Sequence, residues 1–359
     1  MRDAAAGGER FVRGALTAWR MPRRIRFGGR IETAATMDAL LLSMLNGLVY
    51  GLLLFLLAAG LTLIFSLLGV LNFAHGSFYM LGAYVAWQCG QWLGFWGGLL
   101  AAPLGVALVA TAFEITVLRP LRPRGHVPEL LATFAFGLVL AESARLVWGS
   151  AAVPYAIPAG LQGKLFELGG LAFAAYRGLV IAVALAALGV AWLLLWRTRA
   201  GLVVQAALSH APMVSALGHD VAAVQSVVFA AGAAMAGLAG AVGAPLLVTE
   251  PDMAAQTGAL LFAILVIGGL GSLRGALIGA LLVGEIQTLA VAVSASPADL
   301  LLRLGWRVDV PARDGLAASL LHLELSRAAP LLPYLLLVVV LALRPGGLAA
   351  RATPGRDGW

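Results

Sequence analysis

The stretch Leu179-Val-Ile-Ala-Val-Ala-Leu-Ala-Ala-Leu-Gly-Val-Ala-Trp-Leu-Leu-Leu-Trp196 decides the fold class. It carries no charge and shows no alternation of apolar with polar residues. A hydrocarbon core about 30 Å thick takes about 20 apolar residues to cross as a helix. Lipid cannot satisfy free backbone N–H and C=O groups, so such a block spans either as a helix or as part of a closed barrel. Barrel strands alternate over about 10 positions, and this block does not.

Outward from it, comparable apolar blocks cover about 38–68, 77–90, 92–118, 130–148, 171–196, 221–247, 258–270, 275–295 and 328–343. The chain of 359 residues is 61% hydrophobic and 11% charged, against about a quarter charged in soluble domains. The expected fold is an all-α polytopic membrane protein with roughly eight transmembrane helices. Two blocks, 77–90 and 258–270, are too short to cross alone. Each adjoins a glycine-containing break, near 71–77 and 268–272, where a broken or re-entrant helix is expected. Such interruptions are tolerated at membrane depth only inside protein or along a cavity.

The formal charge of +7 is concentrated at the N-terminus, where residues 1–36 hold eight arginines against three acids. That basic arm lacks the apolar core of a signal peptide. It reads either as an arm on anionic headgroups or as an extension upstream of a start at Met37. Residues 37–348 form the expected transmembrane domain and 349–359 a cytoplasmic tail. The high pI has no soluble basic face behind it, which excludes nucleic-acid binding. The single cysteine, Cys89, allows no internal disulfide.

Short loops rich in Arg mark the cytoplasmic side, here Arg119, Arg122 and Arg124, then Arg197 and Arg199, then Arg344. The loops 149–170, 248–257 and 296–327 are placed opposite. One conflict stays open at this stage. Full crossings by 38–68 and 77–90 would put the basic N-terminus outside, whereas a re-entrant 72–76 would keep it inside.

No catalytic motif is present: there is no His-Glu-x-x-His, no Cys-x-x-Cys and no phosphate loop with its lysine. ATP, if used, binds another chain, and no metal site is expected. The segment Leu71-Asn72-Phe73-Ala74-His75-Gly76 places Asn and His in an apolar region, which is costly unless they face a cavity or a partner. It either lines a translocation path or satisfies broken helical carbonyls. Gly232, Ala236 and Gly240, and likewise Gly271, Gly275 and Gly279, repeat every fourth residue and read as helix-packing stripes. Glu142 and Arg145 read as a surface pair, and Glu114 with Arg119 reads the same way. Glu285 is the candidate for an interior polar role. The run 197–220 suits either partner docking or a plain connection, with Gly201 and Gly218 bracketing a helix that contains Pro212.

Taken together, these motifs resemble the branched-chain amino-acid ABC-importer permeases of the Liv-H type, over about 38–295 and again over 328–348. Gly69 through Gly76, continued by Tyr79-Met80-Leu81-Gly82-Ala83-Tyr84, is the most specific part. Thr198 through Gly201 and Ala216 through Gly218 look like the ATPase-coupling element, and Val266 through Gly279, including Gly268 and Gly269, completes the order. The resemblance implies a second permease of Liv-M type, two ATPase subunits and a periplasmic binding protein. It implies coupling residues at Arg197, Arg199, Gly201, Gln205, Ala206, Leu217 and Gly218, beside the translocation-path candidates that the polar residues themselves offer, Asn72, Phe73, His75, Gly76 and Glu285. Gln205-Ala206 stands where the family carries Arg-Ala, and Gly218-His219-Asp220 where it carries Gly-Ile-Asn. Asp220 still suits a helix N-cap. Urea, short amides and aromatic acids remain alternatives to branched-chain substrates. An ion-coupled transporter using Glu285 is the competing class, separable by Glu285→Gln.

Overall fold

The computed structural model describes residues 29–168, 170–292 and 324–349, with side chains from Met37 onward. The basic arm upstream of Gly29, most of the 296–327 connection and the tail beyond Ala349 lie outside the described residues.

Long apolar runs give long helices, and glycines at positive φ, such as Gly69, Gly149 and Gly269, follow their ends. Helix α1 runs Gly29–Leu68 and α2 runs His75–Phe113. Gly94 divides α2, with φ +72, a conformation that glycine adopts without a Cβ clash. The chain folds back there: a Cβ on Gly98 would lie 2.3 Å from Ala86 O, and one on Gly105 3.5 Å from Val85. The limbs 75–93 and 95–113 therefore form an antiparallel hairpin. The helix extends past both apolar ends of the 77–90 block, yet it starts inside the bundle beside Leu57, so the limb completes its passage only together with the broken segment before it.

A π-turn Glu114–Leu118 and short turns to Arg124 follow, and then α3, His126–Trp148. Two short strands, β1 Lys164–Leu168 and β2 Leu171–Ala174, pair antiparallel with Phe166 opposite Phe173. The apolar block read from 171 thus begins as strand and turns helical only at Ala175. Helix α4 covers Ala175–Arg197, α5 Arg199–Ala216, α6 Val221–Gly243, α7 Met253–Gly268 and α8 Leu273–Ala292. After a short turn, α9 covers Leu332–Leu343. Seven helices are long and apolar enough to cross a membrane, one of them the folded 50-residue run His75–Arg124, and Met253–Gly268 is a shorter apolar helix. Counting both hairpin limbs gives eight, and the shorter α7, which runs from the 244–252 link to the turn at Gly269, makes nine passages among the described residues, close to the roughly eight expected.

Helix α6 is the centre of the bundle. A Cβ on Gly60 would lie 2.4 Å from Gly232 O, on Gly82 2.3 Å from Gly237 O, and on Gly240 2.0 Å from Tyr79 O. Backbone thus meets backbone between α1 and α6 and between α2 and α6, as small residues allow in lipid. Helix α8 packs antiparallel on α1 in the same manner, with Gly284 against Gly51. It also packs on α7, where Gly275 meets Gly268 and Gly279 meets Ile264 O. Ala236 is fully buried between these partners.

Side-chain bonds separate the two ends. At one end Val153 bridges Thr249, Trp148 Nε1 donates to Gln88 Oε1 (3.1 Å), and Arg177 Nη1 donates to Asn46 Oδ1 (2.7 Å). At the other, Arg119, Arg122, α5 and the chain around Leu348 gather, with Leu348 N donating to Ile267 O (2.8 Å). Helix α1 starts at the first end, opposite the arginine loops, with Asn46 beside Arg177, and the broken segment 69–74 followed by limb 75–93 brings the chain back to that end at Gln88. Of the two forms expected near 71–77, interruption is the one present.

Candidate functional site

The interrupted segment is built to satisfy its own backbone. Asn72 Oδ1 accepts from Ala74 N (3.1 Å), Phe73 N donates to Thr133 Oγ1 (3.2 Å) and Ser77 Oγ donates to Gly137 O (2.9 Å). The break is thereby stitched to α3. His75 Nε2 lies 3.1 Å from Leu57 O, eleven residues before the end of α1, so α2 begins inside the bundle. Asn72 and His75 are buried. Gly76 is pressed against α7, where a Cβ would lie 2.3 Å from Ala254 O. These three hold the fold at the break. Phe73, with Ser77 just beyond the break, lines an open cavity of about 360 Å³ between α2, α3 and α7, beside Phe134 and Phe262.

A larger cavity, about 580 Å³, lies toward the end marked by the 244–252 link. Its polar lining comes from Tyr50 on α1, Tyr79 on α2, Gln256 and Thr257 on α7, Gln287 on α8 and Tyr334 on α9, with Glu250 the one charged residue among the described residues. Leu247, Met253, Leu260 and Leu331 supply apolar wall. A small void of about 20 Å³ continues inward, sharing Tyr50 and Tyr79 and bounded by Leu53, Leu54 and Leu57. The carbonyl of Leu57 is the one His75 engages. The candidate His75 therefore sits behind the floor of this cavity rather than in its wall.

Glu285 lies against α1 instead: a Cβ on Gly47 would fall 2.4 Å from its Oε2, which has no hydrogen-bond partner among the described residues. Gln287, two residues on and about 200° around the helix, is the α8 residue that reaches the cavity.

At the opposite end, α5 is a capped helix packed on α4. Thr198 Oγ1 accepts from Gly201 N (3.0 Å), and a Cβ on Gly201 would meet Leu194 O and Leu195 O at 2.3 Å. Gln205 Nε2 donates to Leu195 O. The helix bends at His210, two residues before Pro212, and ends at Gly218 with φ +88. Asp220 then caps α6, accepting from Ala223 N (3.0 Å). While Val204, Ala207 and Val214 are buried, Leu202 (61%), Met213 (65%) and Leu217 (75%) are exposed, as is Ala206. Arg197 and Arg199 stand at the α4–α5 corner.

Next to this corner, Glu114 departs from its reading as a surface partner of Arg119. Its side chain is 0% exposed. Arg122 Nη2 approaches its Oε1 at 2.6 Å, Arg119 Nη2 its Oε2 at 3.6 Å, and Ser226 Oγ donates to Oε2. Arg122 also donates to Gln225 Oε1 (2.5 Å) and Arg119 to Ser226 Oγ (2.5 Å). The π-turn that begins at Glu114 places the carboxylate against α6, and π-bulges often mark functional sites. Glu142 and Arg145 do pair, and Arg145 also binds Asp252 (2.5 Å), tying α3 to the α6–α7 link.

The chain matches the model of the family described as branched-chain amino acid transport system / permease component over residues 43–341. It belongs to that family. The permease is 28% identical over 257 residues to the high-affinity branched-chain amino acid transport system permease protein BraD of Pseudomonas aeruginosa, covering 68% of this chain and 84% of that protein. It is 29% identical over 264 residues to the LivH permease protein of Escherichia coli K12, covering 69% and 85%. To a probable LivH permease protein of Methanocaldococcus jannaschii it is 30% identical over 258 residues, covering 68% and 79%. No solved structure matches it. The permease is a multi-pass membrane protein, and these relatives are transport components rather than enzymes.

Proposed function

We propose that this chain is the membrane permease of an ATP-driven importer in the plasma (inner) membrane, moving branched-chain amino acids or a related small solute handed over by a periplasmic binding protein. The observation that carries the reading is the two-ended build of a chain in this permease family. One end holds a cavity of about 580 Å³, within the roughly 300–1,000 Å³ range of small-molecule sites. The other holds a capped, apolar-faced helix at the arginine-rich end. By the positive-inside rule that end and the C-terminal tail are cytoplasmic. The cavity then faces the periplasm.

ATP is hydrolysed on two separate subunits, and this chain holds no cofactor. Those subunits dock on α5 through Leu202, Met213 and Leu217, with Arg197 and Arg199 at its corner. Gly201, Gln205 and Gly218 keep the helix seated. A second permease of Liv-M type completes the membrane part. Movement of α5 reaches α6 through Asp220, and the Glu114 cluster passes it to the 75–113 hairpin.

The test is purification of the tagged chain from detergent-solubilised membranes with mass spectrometry of what accompanies it, followed by uptake in vesicles. ATPase subunits and a second permease are expected, and Glu285→Gln is expected to keep uptake, because Glu285 packs on Gly47 outside the cavity lining. A stable homo-oligomer without an ATPase, or loss of uptake in Glu285→Gln, overturns the reading.

A further inference from the structure

We propose that the large cavity is a binding site for a solute carrying a primary ammonium group next to an apolar chain, with Glu250 as the anchor for the ammonium. The inference rests on the permease reading above and sharpens its substrate class. Among the described residues, Glu250 is the one charged residue in the lining. It is partly buried and has no salt-bridge partner among the described residues. A carboxylate in a partly dry recess accepts best from a cationic donor. The neighbouring acid Asp252 is already engaged by Arg145, so the trans-bundle ion pair leaves Glu250 alone facing the space.

The rest of the lining fits the remainder of such a solute. Tyr50, Tyr79, Thr257, Gln256 and Gln287 come from α1, α2, α7 and α8 and offer neutral donors, with no cation among them. A solute carboxylate finds hydrogen bonds there but no opposite charge. Leu247, Met253, Leu260 and Leu331 provide the apolar wall for an aliphatic side chain. An apolar enclosure with a few convergent polar groups is the usual form of a small-molecule site. This lining accepts a zwitterionic aliphatic amino acid or the corresponding amine. It disfavours a solute that is only anionic, which would meet Glu250 unpaired, and a neutral amide such as urea, which leaves the apolar wall unfilled.

The periplasmic binding protein would impose its own selectivity, so the experiment omits it. The purified full-length chain, with whatever subunits accompany it, is placed in lipid nanodiscs and binding of tritiated leucine is measured by scintillation proximity. Unlabelled leucine, 3-methylbutylamine, 4-methylpentanoate and urea serve as competitors. Leucine and the amine are expected to compete, while 4-methylpentanoate and urea do not. In Glu250→Gln the affinity falls about tenfold to a hundredfold, the worth of one charge-assisted hydrogen bond. Competition by 4-methylpentanoate as strong as that by the amine overturns the proposal, and so does the absence of leucine binding at millimolar concentration. The wild-type competition decides the matter even where Glu250→Gln does not fold. Neither result bears on whether ATPase subunits co-purify, so failure here is distinct from failure of the importer reading.

Discussion

Replacing Glu114 with glutamine removes a negative charge from a site with no solvent exposure while keeping the shape of the side chain. Three groups face the carboxylate: Arg122 at 2.6 Å, Arg119 at 3.6 Å and the Ser226 hydroxyl. Arg119 is 37% exposed, so water screens much of its share. Arg122 is only 18% exposed and depends on Glu114 for its charge partner. Breaking a buried pair from one side costs about 3–5 kcal/mol. Arg122 retains Gln225 Oε1 as an acceptor, which puts Glu114→Gln at the low end, about 3 kcal/mol. Arg122→Met leaves the carboxylate with the distant Arg119 and costs a similar amount. The double variant removes both charges at once and loses far less than the two singles added, giving a coupling of about 2 kcal/mol. The assay is reversible unfolding of the purified chain in mixed micelles by titration with dodecyl sulfate, followed by circular dichroism, for all four proteins. Additive losses, or a Glu114→Gln protein within about 0.5 kcal/mol of wild type, would refute the assignment of this cluster as a buried clamp between the α2 hairpin and α6.

The same titration tests the backbone contacts. Gly240→Ala sets a methyl group 2.0 Å from Tyr79 O and is expected to cost about 1–3 kcal/mol. Gly258→Ala, whose Cβ would meet nothing within 4 Å, stays within about 0.5 kcal/mol of wild type. His75→Leu withdraws the side-chain bond to Leu57 O and is expected to lower stability by about 1 kcal/mol. Gly201→Val collides with the carbonyls of Leu194 and Leu195 and tilts α5 off α4. Recovery of ATPase subunits with the tagged chain should fall about tenfold, equal to about 1.4 kcal/mol of docking, and undiminished recovery would sink the role given to α5.

Features that depend on local pattern were legible in the sequence. Apolar blocks long enough to cross, the glycine-marked breaks near 71–77 and 268–272, the helix between Gly201 and Gly218 and the cap at Asp220 all follow from neighbours along the chain. The hairpin at Gly94 was half visible, since a gap fell between 77–90 and 92–118. Apolarity alone could not say that the first limb keeps its helix from His75. Glu114 was misjudged because its distance to Arg119 in sequence gave no sign of Ser226 across the bundle. The short strands around 164–174 carry no strong alternation, so their antiparallel pairing left no mark in the sequence. The cavity left no trace in any one segment. Its polar lining is collected one or two residues at a time from α1, α2, α7, α8, α9 and the 244–252 link, so only tertiary packing brings it together. On α8 the eye falls on the charged Glu285, and the neighbouring Gln287 is the residue that lines it.

The glycine contacts described for α1, α2, α6, α7 and α8 have a kinematic consequence. Wherever a Cβ would lie within about 2.6 Å of a facing backbone atom, as at Gly60, Gly82, Gly240, Gly268 and Gly284, two helices interlock with no side chain between them to change rotamer. Packed surfaces of this kind shift between discrete arrangements rather than deforming continuously. Five helices joined in this way have few internal degrees of freedom and move as one piece. If a second permease stands beside this chain as proposed, the joint that opens and closes the importer lies along the seam between the two, and crosslinks placed across that seam should arrest transport while crosslinks within the glycine-joined core leave it running.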